Sequence, residues 1–267
     1  MGDAQKTITS LQNPEVKRLM ELQLKSAARR ESGLAVVEGR RELQHCLDAG
    51  HEAVAVYYCP ELAGELACDT GGATLIQVSP AVYEKIAYRG GTEGLVAIVR
   101  PHHRRLDDLH LSPSPLIIVL ESVEKPGNLG AVLRTADAAA ADAVIVCDPL
   151  TDLFNPNLIR SSVGAFFTVP CVACTSQECI EFLKRHHITI LTAQLQDSKP
   201  YYDTDMTRPT AIVMGTEATG LTDAWRVAAD AHILIPMQGA IDSLNVSVSA
   251  AILLFEAVRQ RHIPTND

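Results

Sequence analysis

The side chains best suited to chemistry fall in three short stretches of this 267-residue chain. In "LESVEKPGNLGAVLRTADA", residues 120–138, the carboxamide of Asn128 is followed by the guanidinium of Arg134, with Asp137 one helical turn further on. In "VMGTEATGL", residues 213–221, Gly215 and Gly220 bracket Thr216, Glu217 and Thr219. In "IPMQGAIDSLNVSVS", residues 235–249, a strand end runs into Asp242, Ser243, Asn245, Ser247 and Ser249 before an apolar helix begins. A helix start needs one capping side chain, so five polar residues exceed that need. A loop that wraps a polar ligand accounts for the excess. The glycines of "GNLG" and of the second stretch suit close approach of backbone to such a ligand.

Several chemistries are excluded. The second stretch is neither G-x-G-x-x-G nor a P-loop, because no Lys-Ser/Thr follows Gly220, which argues against a dinucleotide fold and an NTPase. Seven cysteines are scattered along the chain, including "CVAC" at 171–174 with Cys179 nearby. A zinc site would want a second pair at matching spacing, and there is none. Reduced core or surface thiols and no metal are expected.

The elements that must position these residues alternate. In the first part, helix 14–30 opens with Asn13 as cap and Pro14 at the first position. Strands follow at "LAVVEG", "AVAVYYC", "ATLIQVS" and "GLVAIV", separated by helices at "GRRELQHCLDAG", "PELAGELA" and "SPAVYEKIA". In the second part, strands are expected at "LIIVLE", "DAVIVC", "FFTVP", "ITILTA", "TAIVMG" and "HILIPM". Helices are expected at 129–140, 177–187, 220–229 and 245–261, with Asn128 capping the first and a Thr175/Glu178 capping box on the second. Alternation of this kind indicates α/β architecture with mainly parallel sheets in both parts. In an open α/β sheet, ligands bind outside the carboxyl ends of the strands, so the three stretches should meet there. The Pro- and His-rich "RPHHRRLDDLHLSPSP", residues 100–115, reads as a linker, giving domains at 1–108 and 109–267.

Charge is uneven. The formal net charge is −9. Residues 1–105 hold 13 Lys/Arg against 13 Asp/Glu, and residues 106–267 hold 10 against 19. A polyanion would meet the first part, where "VKRLMELQLKSAARR" and "EGRR" concentrate positive charge. No apolar run reaches the roughly 18 residues of a membrane helix, and the N-terminus has no signal-peptide stretch. A soluble, cytoplasmic protein without membrane contact is expected.

"PGNLGAVLRTA", "VMGTEATGL" and "IPMQGAIDSLNVSVSAAILLFE", taken in order, resemble the three motifs of the SpoU/TrmH family of RNA ribose 2′-O-methyltransferases in the SPOUT superfamily. The likeness covers about residues 115–261. Residues 13–50 with "EGLVAIV" resemble the N-terminal substrate-binding domain of many of these enzymes, which is similar to an RNA-binding ribosomal protein. The resemblance implies a C-terminal α/β knot, threaded as a deep trefoil, that holds S-adenosyl-L-methionine. It also implies a homodimer acting on RNA, with ribosomal RNA favoured over transfer RNA. A non-catalytic RNA-binding protein is the alternative of another class. Carried over residue by residue, the catalytic set is Asn128, Arg134, Glu217, Ser243 and Asn245. The cofactor set is Thr192, Met214, Gly215, Glu217, Ile235, Pro236, Met237, Ser243 and Leu244. Two positions depart from the family pattern: Thr216 stands where Asn is usual, and Ala140 where a glycine is common.

Overall fold

The computed structural model describes residues 6–64, 70–88, 93–216, 219–240 and 242–262. The chain forms two compact units: residues 1–102 with 154–168, and residues 103–153 with 169–267.

The first unit runs β1 (Lys6–Ile8), α1 (Pro14–Leu24), α2 (Ser26–Ser32), β2 (Ala35–Glu38), α3 (Arg40–Asp48), β3 (Glu52–Tyr58), α4 (Pro60–Ala63), β4 (Thr74–Val78), α5 (Pro80–Ile86) and β5 (Leu95–Arg100). Asn13 caps α1 by accepting from the Glu15 amide at 2.8 Å, and Pro14 takes the first helical position, as the sequence indicated. The expected single helix over 14–30 breaks at Lys25, which has extended backbone angles. Buried Arg29 explains the break. Its guanidinium donates to the carbonyls of Leu22 and Gln23 at 2.5 and 3.2 Å, satisfying acceptors that a continuous helix would have used. The strand order is β1-β4-β3-β5-β2. β1, β4 and β3 are parallel, but β5 runs antiparallel to both β3 and β2, so this sheet is mixed rather than mainly parallel. Side-chain patterning could not show this, because strand direction depends on how the crossovers return.

The chain enters the second unit through β6 (Leu116–Glu121), α6 (Pro126–Ala138) and β7 (Ala143–Cys147). Two short helices, α7 (Pro156–Ser161) and α8 (Ala165–Thr168), belong to the first unit. The second unit resumes with β8 (Cys171–Cys174), α9 (Ser176–Arg185), β9 (Thr189–Ala193), β10 (Lys199–Pro200), β11 (Thr210–Met214), α10 (Asp223–Ala228), β12 (Ala231–Leu234) and α11 (Val246–His262). "FFTVP" is therefore not a strand. Its two phenylalanines sit on α8 in an aromatic cluster with Phe154 and His51, and the edge strand is the following "CVAC". A short apolar run does not distinguish helix from strand by its period.

The second sheet has the order β10-β12-β9-β11-β6-β7-β8, with every pair parallel. Its central strands β6, β7 and β11 are buried throughout. Both faces are therefore covered, as all-parallel sheets require. Leu106, Leu109 and Leu111, from the expected linker, pack against this unit's core. Thr175 and Glu178 form the expected capping box on α9. Among the described residues no helix is long and apolar enough to cross a membrane.

Arg261 ties the last helix to the sheet. It donates to the carbonyls of Met206 (2.9 Å), Ser114 (2.7 Å), Pro115 (3.2 Å) and Arg208 (2.8 Å), at the entries to β6 and β11. Hydrogen bonds from a charged donor are the stronger kind. Arg261→Ala is expected to destabilise the second unit by about 2–3 kcal/mol, read as a lowered denaturation midpoint. An unchanged midpoint would show that the anchor contributes nothing.

Candidate functional site

All strands of the second sheet are parallel, so their carboxyl ends share one edge. The loops after β6, β9, β11 and β12 leave from that edge and carry the three sequence stretches. A cavity of about 380 Å³ lies among them, lined by Ala193 to Gln196, Met214 to Thr216, Thr219 to Leu221, Ile233 to Ile235, Met237 and Asp242 to Leu244, and closed by Val246, Ser249 and Leu253 of α11. Its walls are apolar at Met214, Ile233, Ile235, Leu244 and Leu253, with Gln194, Thr219, Arg226, Asp242 and Ser243 supplying polar groups. A smaller recess of about 130 Å³ shares Gly215, Thr216 and Val246 with it and adds Glu121 to Lys125 and Asn128.

The turn after β11 is held closed in three ways. Thr216 and Gly220 form an isolated antiparallel bridge, with the Gly220 amide donating to the Thr216 carbonyl at 3.1 Å. The Thr216 hydroxyl accepts from the Thr219 amide at 3.0 Å, so the residue standing where Asn is usual in the resembled motif builds the turn itself. Gly215 lies so close to Gly220 that a Cβ added to it would sit 2.3 Å from the Gly220 carbonyl carbon and oxygen and 2.5 Å from the Leu221 nitrogen. Beyond the turn, Glu121 accepts from the Thr222 amide and hydroxyl, both at 2.8 Å.

The third stretch now has its explanation. Asn245 precedes α11, and its Oδ1 accepts from the amide and hydroxyl of Ser247 at 3.0 and 2.7 Å. That is the cap. Its Nδ2 donates to Oδ1 of Asn128 at 3.3 Å, joining the first and third stretches across 117 residues. Asn128 can serve because it is not a cap, contrary to expectation. Lys125 holds that position, Pro126 opens α6, and Asn128 lies in the first turn facing the smaller recess.

Of the expected cofactor set, Met214, Gly215, Ile235, Met237, Ser243 and Leu244 line the larger cavity. Thr192 does not. It is fully buried on β9 against His232 (Oγ1 to Nδ1, 2.6 Å), one residue before the cavity wall begins at Ala193. Pro236 is not part of the lining either, although both its neighbours in the loop after β12 line it. Arg134 is exposed on α6 outside both recesses, and no hydrogen bond or ion pair engages it among the described residues. Glu217 lies outside the described residues. Sequence reasoning missed Gln194 and Arg226, which carry no motif signal, and Glu121, whose place at a strand end was the only hint.

The cysteines also group differently from their spacing. Cys174 meets Cys147 and Cys179 rather than Cys171. Hydrogen bonds from the thiols of Cys147 and Cys179 lower the pKa of the Cys174 thiol below that of an ordinary cysteine.

A family model described as the SpoU rRNA Methylase family matches residues 115–255, just over half of the chain. The chain belongs to that family. A second model, the MRM3-like substrate binding domain, matches residues 13–97. The chain is similar to the 23S rRNA (guanosine-2'-O-)-methyltransferase RlmB of Vibrio vulnificus, with 38% identity over 196 residues covering 71% of this chain and 79% of that protein. Its structure resembles a solved RNA 2'-O ribose methyltransferase at TM-score 0.83 and 39% identity, covering 96% of this chain and 100% of the other. It also resembles an AdoMet-bound rRNA methyltransferase from Sinorhizobium meliloti at TM-score 0.86 and 30% identity, covering 95% and 97%. These neighbours establish the SPOUT methyltransferase fold, with a smaller N-terminal substrate-binding domain.

Gly215→Ala tests the closed turn. The added carbon must push backbone rather than a flexible side chain, which costs about 1–3 kcal/mol. Faster hydrogen exchange at the Thr219 and Gly220 amides is expected. Unchanged protection there would mean that the turn absorbs a side chain without opening.

Proposed function

We propose that this chain methylates the 2′-hydroxyl of a ribose in ribosomal RNA, using S-adenosylmethionine, and that it works as a cytoplasmic homodimer. The observation that carries this reading is the convergence of the second and third motif loops on one cavity, with the first motif loop lining the recess beside it, in a chain of the SpoU family. The cavity fits the cofactor in kind. Its volume lies in the range of small-molecule sites, roughly 300–1,000 Å³. Its apolar walls suit adenine, and Asp242 and Ser243 offer polar partners to ribose and the amino-acid part. Gly215 keeps that wall free of a side chain. The knotted path implied by the family resemblance is part of the proposal, supported by the return of α11 onto α6, β6 and β11 after the 235–245 loop.

When bound, the cofactor supplies an already activated methyl group. The protein's task is then mostly alignment, which can contribute roughly 7–11 kcal/mol. Ile235, Met237, Ser243 and Leu244 hold the donor side in this reading. Asn128 and Asn245, hydrogen-bonded to each other beside the smaller recess, order the acceptor side. Arg134 is exposed, which supports a role toward RNA rather than toward the cavity. A guanidinium is a poor general base and a good partner for phosphate, so in this reading Arg134 clamps a phosphate and stabilises the developing alkoxide. The proton then passes to that phosphate or to water. Selection of RNA over DNA follows from the hydroxyl itself. In the first unit, Lys17, Arg18 and Arg30 are exposed and offered to phosphates, Lys25 is exposed but paired with Glu21, and Arg29 is committed to the α1 carbonyls.

Arg134→Ala is expected to abolish methyl transfer to ribosomal RNA while calorimetric affinity for S-adenosylmethionine stays within a few fold. Equal loss of both would place Arg134 in the cofactor site and refute its assigned role.

The dimer is supported by α11. Ala250, Leu253, Leu254 and Ala257 face the unit's own core, yet Val248 and Phe255, seven residues apart on one face, are 48% and 47% exposed. A helix that packs only inward shows one apolar stripe. A second copy of this chain covers the other stripe in this reading. Phe255→Glu is expected to give a 28.8 kDa species by sedimentation, with a nearly unchanged melting temperature and lost activity. Leu254→Glu, being fully buried in the single chain, should instead unfold it. A Phe255→Glu protein that remained dimeric would remove α11 from the interface.

A further inference from the structure

Three thiols outside the methyl-transfer site converge near one edge of the second sheet. Cys147 ends β7 and Cys174 ends β8, and the two are partners in the parallel register. Cys179 comes from the start of α9, which follows β8. The three sulfurs all lie within 4.8 Å of one another. None is in a disulfide. Cys147 and Cys179 are fully buried, whereas Cys174 is half-buried and opens the group to solvent.

We propose that Cys147, Cys174 and Cys179 form a binding site for one soft, thiophilic cation of the cuprous class. Core packing accounts for buried sulfurs singly, but not for three that share one small volume with an opening at one of them. Thiolate ligands select soft ions, with cuprous ion and zinc foremost. With metal–sulfur bonds of about 2.3 Å, three sulfurs around one ion stand about 4 Å apart, so the site needs a contraction of under about 1 Å. A structural zinc site would close with a fourth protein ligand. Among the described residues the cluster offers three, which suffices for a three-coordinate monovalent ion. Cys171 takes no part, since it falls outside the cluster despite the C-x-x-C spacing. Metal–sulfur bonds form as S–H bonds break. Up to three protons pass to solvent, so binding strengthens as pH rises.

The test titrates the fully reduced whole protein, without oxygen, with cuprous ion buffered by a coloured chelator, and with zinc in a parallel arm. The expected result is one cuprous ion per chain, with ultraviolet thiolate-to-copper absorption. Cys174→Ser, at the accessible position, should lower the affinity at least about a hundredfold. Cys171→Ser should leave it unchanged. No uptake, or equal uptake by Cys174→Ser, would overturn the site. Tight zinc binding without cuprous binding would overturn the cuprous assignment.

Discussion

Glu121 carries a carboxylate that is only 4% exposed, and a buried charge of that kind must be fully hydrogen-bonded or it destabilises the fold by several kcal/mol. It meets this demand by reaching two separate helices. Its oxygens accept from the Thr222 amide and hydroxyl just before α10, and one lies 2.9 Å from the Ser176 hydroxyl at the start of α9. Ser176 in turn accepts from the indole of Trp225 at 3.1 Å. An anion beside two helix N-termini is also favoured by their dipoles. The end of β6, the start of α9 and the start of α10 are thereby fixed to one another, and the cavity wall at Gly215, Thr216 and Thr219 to Leu221 takes its position from this arrangement.

The second constraint is steric. Gly215 and Gly220 approach so closely that no side chain fits between them. Beyond the turn, Leu221 and Trp225 pack into the core. With all strands parallel, four such loops crowd one edge, and residues more than a hundred positions apart, such as Asn128 and Asn245, come within hydrogen-bond reach.

The surplus negative charge does not oppose an RNA partner as directly as the total of −9 suggests. It resides in residues 106–267, whereas residues 1–105 are balanced and concentrate exposed cations on α1 and α2. The substrate-binding family model matches this same balanced part, at residues 13–97. In the proposed function, affinity for phosphate and chemistry on ribose fall to different surfaces, with electrostatic binding supplied where charge permits it.

The sequence by itself determined the three loops, the alternation of strands and helices, and the cap at Asn13 and capping box at Thr175, because each is a local preference written in adjacent residues. It also indicated most of the cavity lining, since Gly215, Ser243 and Leu244 stand in ordered motifs. Tertiary structure alone decided what depends on distant partners. Arg29 broke a helix by claiming its carbonyls, and β5 reversed direction so that the first sheet became mixed. Phe166 and Phe167 became helical to join Phe154 and His51, and Lys125 took the cap position and left Asn128 to meet Asn245. Cys174 passed over Cys171, three residues away, for Cys147 and Cys179, because alternate residues of a strand face opposite sides while register brings neighbouring strand ends together.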